Sequence, residues 1–144
     1  MALPGVREVI AKLITPAVCA TALHHCFVAA DPAEVAFLAG QQYGVRATSE
    51  GRAAYLATLR DVRRDFTVGA PAYRAAIAQW SRPALVIHGC QDPVVPLAHA
   101  EAVVRGLRRV ERRWLDPCRH FPQIEHADAV DDWLGEFAFA GAGR

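Results

Sequence analysis

The sequence is poor in several features that would each indicate a class of protein. Its 16 basic residues, of which only Lys12 is a lysine, nearly balance 15 acidic ones, and the net charge of +1 disfavours a protein built around nucleic acid or an acidic membrane. No apolar run approaches the roughly 18 residues that a membrane-spanning helix requires. Arg7 and Glu8 interrupt the apolar N-terminal stretch, which disfavours a signal peptide. We therefore expect a cytoplasmic protein with no nucleic-acid or membrane partner.

Paired cysteine spacings are also absent. The four cysteines are Cys19, Cys26, Cys90 and Cys118. None is close enough in sequence to another to resemble a zinc motif, and His24 and His25 beside Cys26 form no recognised ligand spacing. A chain of 144 residues that is 53% hydrophobic and 22% charged can build a globular core without disulfides. We expect free thiols, no metal and no cofactor.

The first part of the chain, residues 1–80, is typical of a helical region. Three N-cap signals, at Thr15-Pro16, Asp31-Pro32 and Thr48-Ser49, predict helix starts. A fourth, short helix is predicted from Pro71 to near Trp80. One face of the third helix carries Tyr55, Leu56, Leu59, Val62 and Phe66. Breaks between helices are expected at Gly40, Gly44, Gly51 and Gly69.

Residues 81–144 instead predict alternating strands and helices. Ala84–Ile87 is a short apolar run rich in branched residues, which favours a parallel strand buried on both faces. Val110–Leu115 is more polar and predicts a strand nearer a sheet edge. Amphipathic helices are predicted after the two strands, with stripes at Leu97, Ala100, Val103, Val104 and Leu107, and at Val130, Trp133, Leu134 and Phe137. The order predicts a parallel, doubly wound α/β sheet that needs further strands beside these two.

The loops after the two predicted strands carry one candidate side chain each. Asp92 follows the first strand and His120 follows the second. The carboxyl ends of neighbouring parallel strands lie at the same edge of a sheet, so we expect these side chains to meet. A carboxylate that accepts one imidazole N–H fixes the tautomer and stabilises the imidazolium. The pair would make two thirds of a nucleophile–His–acid triad.

The segments PALVIHGCQDPVVP (residues 83–96) and CRHFPQIEHAD (residues 118–128) resemble the C-terminal part of the α/β-hydrolase family. In that family a Gly-x-x-Asp loop supplies the triad acid and the loop after the next strand supplies the histidine. The resemblance implies that Asp92 is the acid and His120 the base. It also implies that residues 1–80 are a helical lid and residues 81–144 the end of the core. Arg119 stands where the family most often has glycine.

The family's nucleophile motif, Gly-x-Ser-x-Gly, is absent from the sequence. The only serines are Ser49 and Ser81, and the glycine pair of residues 40–44 encloses Gln42 instead. The resemblance therefore implies a hydrolase of an ester or similar small apolar substrate of which this chain holds Asp92 and His120. We expect it to be inactive alone, as a truncated reading frame, a gene remnant or one part of a split enzyme.

Other residues near these loops have simpler interpretations. Glu125 is expected to start the last helix, and His88 to be a hydrogen-bonded histidine at a strand end. Cys118 lies two residues from His120, a spacing that disfavours a Cys–His nucleophile. Arginines at positions 105, 108, 109, 112 and 113 are expected to form a solvated surface. An alternative function is a non-catalytic interaction module in which the exposed edge of Ala84–Ile87 pairs with another chain or a second copy.

Overall fold

A computed structural model describes residues 15–142, apart from the side chains of residues 66, 67 and 140–142. The expectations for residues 1–14 and for the Phe66 side chain lie outside this description. The elements are α1 (Pro16–His24), α2 (Pro32–Ala47), α3 (Ser49–Arg64), a π-helical turn (Asp65–Gly69), α4 (Ala70–Gln79), β1 (Ala84–Gly89), α5 (Leu97–Gly106), β2 (Val110–Leu115), α6 (Pro122–Glu125) and α7 (Ala127–Ala142).

The chain divides into two compact units. The first comprises the described residues up to His24 together with Ala30–Ala70, and the second comprises His25–Ala29 together with the described residues from Pro71 onward. The short segment 25–29 thus belongs to the unit that contains both strands. The predicted lid of residues 1–80 stays a prediction.

Capping side chains begin the helices of the first unit. Asp31 accepts a hydrogen bond from the Ala33 amide at 2.8 Å, and Pro32 occupies the first turn of α2. Thr48 accepts from the Gly51 amide at 3.0 Å and begins α3. Each cap satisfies an amide that has no partner within the helix. The predicted helix starts are therefore confirmed. The core of this unit lies between α1 and α2, with Cys19, Leu23, Val35 and Ala39 buried.

The predicted glycine breaks are wrong at three positions. Gly40 and Gly44 lie inside α2, and Gly51 lies in the first turn of α3. A helical glycine costs only about 1 kcal/mol relative to alanine, which a helix that is well capped and packed tolerates. At Gly51 a Cβ atom would overlap the backbone carbonyl of Val45, so glycine permits the close approach of the two helix ends there. At Gly69 the π-helical turn ends, and α4 begins at the next residue.

The second unit is built on the two predicted strands. β1 and β2 pair in parallel, with Ala84 opposite Val110 and Gly89 opposite Leu115. The α5 helix lies between them in the chain, so the predicted strand–helix–strand order is confirmed. The predicted burial of β1 on both faces is wrong, because Ala84 and the next four residues are half-buried. Within the described residues, β2 is the only strand that pairs with β1.

The core of the second unit lies where β2 meets α7. Leu115, Cys118 and Val130 are buried together, and Ile87 and Trp133 pack against them. The end of β2 and the loop after it, which contain Leu115 and Cys118, are therefore packed against α7. Within residues 15–142, no helix combines the length and apolar character needed to cross a bilayer.

Candidate active site

The loop after β1 holds Asp92 by its own backbone. Its side chain is 3% exposed. Oδ1 accepts hydrogen bonds from the amide of Val94 at 2.7 Å and from the amide of Val95 at 3.0 Å. The Asp92 amide donates to the Gly89 carbonyl at 3.3 Å. Because the turn occupies Oδ1, Oδ2 is left to face other elements.

His120 faces that second oxygen. Its Nδ1 lies 2.9 Å from Asp92 Oδ2, so the structure brings together the two side chains that the sequence paired. The His120 side chain is 31% exposed, and its ring stands edge-on to Phe121 with centroids 5.0 Å apart. The His120 amide donates to the carbonyl of Cys26 at 3.0 Å. Both backbone and ring are therefore anchored.

Electrostatics keep Asp92 ionised. Burial by itself would raise the pKa of the carboxyl group. Hydrogen bonds from His120 and from the amides of Val95 and Val94 outweigh burial, so the pKa of Asp92 lies below its ordinary value. An ionised Asp92 accepts the Nδ1–H of a neutral imidazole, which leaves Nε2 to take up a proton.

His88 supports the same turn from the end of β1. Its Nε2 lies 2.9 Å from the carbonyl oxygen of Val95 and 3.6 Å from Asp92 Oδ2, and its side chain is 15% exposed. The bond to Val95 requires the proton on Nε2, so His88 is a donor there. The prediction of a hydrogen-bonded histidine at the strand end is confirmed.

Gln91 joins the two loops, a role that no sequence pattern indicated. Its Nε2 donates to Asp116 Oδ1 at 2.6 Å, and its Oε1 accepts from the Cys118 amide at 3.1 Å. Its own amide donates to the Cys118 carbonyl at 2.9 Å. One side chain therefore links the aspartate loop to the histidine loop.

Glu125 does not start the last helix, so that prediction is wrong. It ends the short α6, and α7 begins at Ala127. Its carboxylate accepts from the amide of Arg119 at 2.7 Å and from the amide of Val28 at 2.6 Å. The single turn of α6 brings the Glu125 carboxylate back to the histidine loop, where its charge strengthens the hydrogen bonds from the amides of Arg119 and Val28.

Cys118 is a core residue. It is fully buried, and its Sγ donates to Glu125 Oε1 at 3.5 Å. Burial, followed by the negative charge of Glu125, raises the pKa of the Cys118 thiol to about 12. The group therefore stays protonated at neutral pH and is a poor nucleophile. Among the described residues, no three His, Cys, Asp or Glu side chains converge in a way that could hold a metal ion.

A comparison with curated proteins finds a relative of about half of the chain. No protein-family model matches the chain. A curated relative, the 2-hydroxymuconate semialdehyde hydrolase of Pseudomonas sp. (strain CF600), is 31% identical over 75 residues. The aligned region covers 52% of this chain and 26% of that protein. The match thus spans about a quarter of the relative's length.

Solved structures resemble almost the whole chain. A mutant of the meta-cleavage product hydrolase CumD matches 94% of it with a TM-score of 0.72 and 21% identity. A second CumD mutant, from Pseudomonas fluorescens IP01 and in complex with acetates, matches 99% with a TM-score of 0.71 and 19% identity. This chain covers 50% of the first structure and 52% of the second. The likeness establishes a shared fold over about half of each neighbour.

Proposed function

Because the chain belongs to the α/β-hydrolase family, we propose that it carries the acid and the base of a nucleophile–His–Asp triad. The family assignment and the fold class, part of a doubly wound α/β-hydrolase sheet with a helical region before it, are the ones that the loop motifs predicted. In the proposal Asp92 is the acid and His120 the base.

The observation that carries the proposal is the 2.9 Å contact between His120 Nδ1 and Asp92 Oδ2. An ionised carboxylate at Nδ1 holds the tautomer whose Nε2 accepts a proton. When Nε2 takes the proton of a nucleophile, the same carboxylate stabilises the imidazolium. Asp92 is suited to this because its other oxygen is already occupied by two amides.

The nucleophile in this proposal comes from outside the 144 residues. The sequence holds no Gly-x-Ser-x-Gly turn, and Ser49 and Ser81 lie in neither of the two loops. Without a nucleophile and the donors of an oxyanion hole, the pair has nothing to activate, and those donors alone contribute on the order of 10²–10³ in rate. We expect no turnover by the chain alone.

The substrate class follows from the names of the relatives. One acts on 2-hydroxymuconate semialdehyde and the solved neighbours on meta-cleavage products. We propose a substrate of this class, and keep an ester or similar small apolar compound as the alternative. Activity assays with one compound of each class distinguish the two possibilities.

A chimaera tests the proposal. The region of CumD that this chain does not cover is joined to residues 1–144, and the product is assayed with 2-hydroxymuconate semialdehyde and with a short-chain nitrophenyl ester. We expect hydrolysis by the chimaera, none by the chain alone, and a loss of at least 10³-fold in kcat on His120→Ala or Asp92→Ala. Turnover of the ester alone would favour the second substrate class.

The control is His99→Ala, which removes a histidine outside both loops. It should leave kcat within about twofold of the unsubstituted chimaera. A folded chimaera that is inactive, or one whose activity survives His120→Ala, contradicts the proposed triad. So does hydrolysis by the chain alone that depends on His120.

A second candidate function is pairing through the free edge of β1. Within the described residues, β2 occupies one edge of β1 and no strand occupies the other. An open, half-buried strand edge can add a strand from a second copy of the chain. Sedimentation across a range of concentrations tests this, because a monomer at all concentrations contradicts self-pairing.

A further inference from the structure

The side chain of Arg119 makes contacts that the family's usual glycine could not make. Its Nη1 donates to the carbonyl of His25 at 3.2 Å and to the carbonyl of Phe27 at 3.0 Å. Both carbonyls belong to the segment 25–29, which lies more than 90 positions earlier in the chain but in the same compact unit. Hydrogen bonds from a charged guanidinium group to carbonyl oxygens are stronger than those from a neutral donor.

Glu125 holds the same segment with the opposite charge. Its Oε2 accepts from the Val28 amide at 2.6 Å, while its Oε1 accepts from the Arg119 amide. The His120 amide completes the set by donating to the Cys26 carbonyl. Each of the four residues from His25 to Val28 therefore has one backbone group bonded to the stretch 119–125. We call this set of bonds the clamp.

The clamp sets an aromatic stack against the histidine ring. Phe27 is 3% exposed, and its ring packs on Phe121 with centroids 4.9 Å apart. Phe121 in turn stands edge-on to His120 at 5.0 Å. A displacement of the segment 25–29 would therefore move the surface against which the His120 ring rests.

We propose that Arg119 and Glu125 are positioning residues that hold the His120 ring against Asp92 by clamping the segment 25–29. The proposal depends on the proposed function only for the role of His120 as the base. The ring is 31% exposed and lies in a loop, so neighbouring packing decides how strictly its orientation is kept.

The test follows amide exchange and imidazole nitrogen signals by NMR on the ¹⁵N-labelled full chain. Arg119→Met keeps the aliphatic stem but removes the donors. We expect it to accelerate exchange of the His120 and Val28 amides at least tenfold. We also expect the nitrogen shifts of His120 to move from the Nδ1–H tautomer toward a mixture. In Arg119→Lys both changes should be smaller than in Arg119→Met, since an ammonium group can still donate to a carbonyl.

Two controls separate the clamp from general destabilisation. Arg112→Met removes an exposed arginine of β2 and should leave all these readings within twofold. The Ala84 amide, which donates to the Arg109 carbonyl at the far end of the sheet, serves as an internal reference and should exchange at the unsubstituted rate in every variant.

If Arg119→Met fails to fold, Glu125→Gln tests the proposal instead. This substitution keeps the shape of the side chain but replaces one of its two acceptor oxygens by an NH₂ group. It should accelerate exchange of the Val28 or Arg119 amide at least tenfold. Unchanged exchange and an unchanged tautomer in the folded variants overturn the proposal. An inactive chimaera with the clamp readings as expected would instead count against the proposed function alone.

Discussion

The Oδ2 atom of Asp92 lies 2.9 Å from Nδ1 of His120, although 28 positions separate the two residues in the chain. The parallel register explains the meeting. Gly89 stands opposite Leu115, so the loops that follow the two strands leave the sheet at the same edge. The Asp92 turn then fixes which oxygen faces the histidine.

We first predict that Asp92→Asn reverses the tautomer of His120. The asparagine carbonyl can keep the two amide bonds, but its NH₂ group then faces the Nδ1–H of the ring. Two donors cannot pair, so the ring should move its proton to Nε2, and the free energy of unfolding should fall by about 1–3 kcal/mol. Urea unfolding and imidazole ¹⁵N shifts measure the two effects. Asp131→Asn, at an exposed position of α7, should change stability by less than about 0.5 kcal/mol.

The stability difference between the original chain and Asp92→Asn should also depend on pH. The pKa of Asp92 is lower in the folded than in the unfolded chain, so the folded chain binds fewer protons. The ionised Asp92 carboxylate therefore stabilises the fold in full at pH values above the ordinary pKa of aspartate, about 4. This stabilisation is lost as the pH falls through the lower pKa that Asp92 has in the folded chain. Unfolding free energies measured from pH 7 to about pH 2 should therefore converge at the acid end. If the difference in unfolding free energy between the two chains stayed constant with pH, the lowered pKa of Asp92 in the folded chain would be contradicted.

The pairing of the candidate residues could be predicted because each step rests on local signals. The apolar run of β1 and the turn residues after it place Asp92 at a strand end. The same reasoning places His120 after β2, and strands that follow each other in the chain are usually neighbours in the sheet. None of these steps requires knowledge of a distant contact.

The rest of the site could not be predicted because it depends on loop conformation. The two partners of Gln91 lie 25 and 27 positions away, and the Val28 partner of Glu125 lies 97 positions away. No periodicity relates such positions. Gly40 shows a different failure, since the rule that glycine breaks helices is weaker than the capping and packing of α2.

We predict that the Cys118 thiol is nearly inert in the folded chain. A thiol with a pKa of about 12 is ionised to about one part in 10⁴ at pH 8, against roughly a quarter for an ordinary cysteine. Alkylation at this position should be about 10³-fold slower in buffer than in concentrated urea, as mapped by mass spectrometry of peptides. Equal rates in the two solvents would show that the loop around Cys118 opens freely.

Gln91 provides the sharpest test of how the two loops are held together. Gln91→Ala removes both side-chain bonds and should cost about 1–3 kcal/mol of unfolding free energy. Gln91→Glu can still accept from the Cys118 amide, but it places a second carboxylate where the amide nitrogen lies 2.6 Å from Asp116 Oδ1. Two carboxylates at that distance raise the pKa of one of them, so the folded chain binds an extra proton.

The stability of Gln91→Glu should therefore increase as pH falls from 7 to about 4, while that of Gln91→Ala shows no such gain. Gln41→Glu makes the same chemical change at an exposed position of α2 and should stay within about 0.5 kcal/mol of the original chain. If the glutamate at position 91 behaved like the one at position 41 at every pH, the bond to Asp116 would not hold the loops together. The two loops would then be joined by the bonds between Gln91 and Cys118, by the clamp and by the strand register.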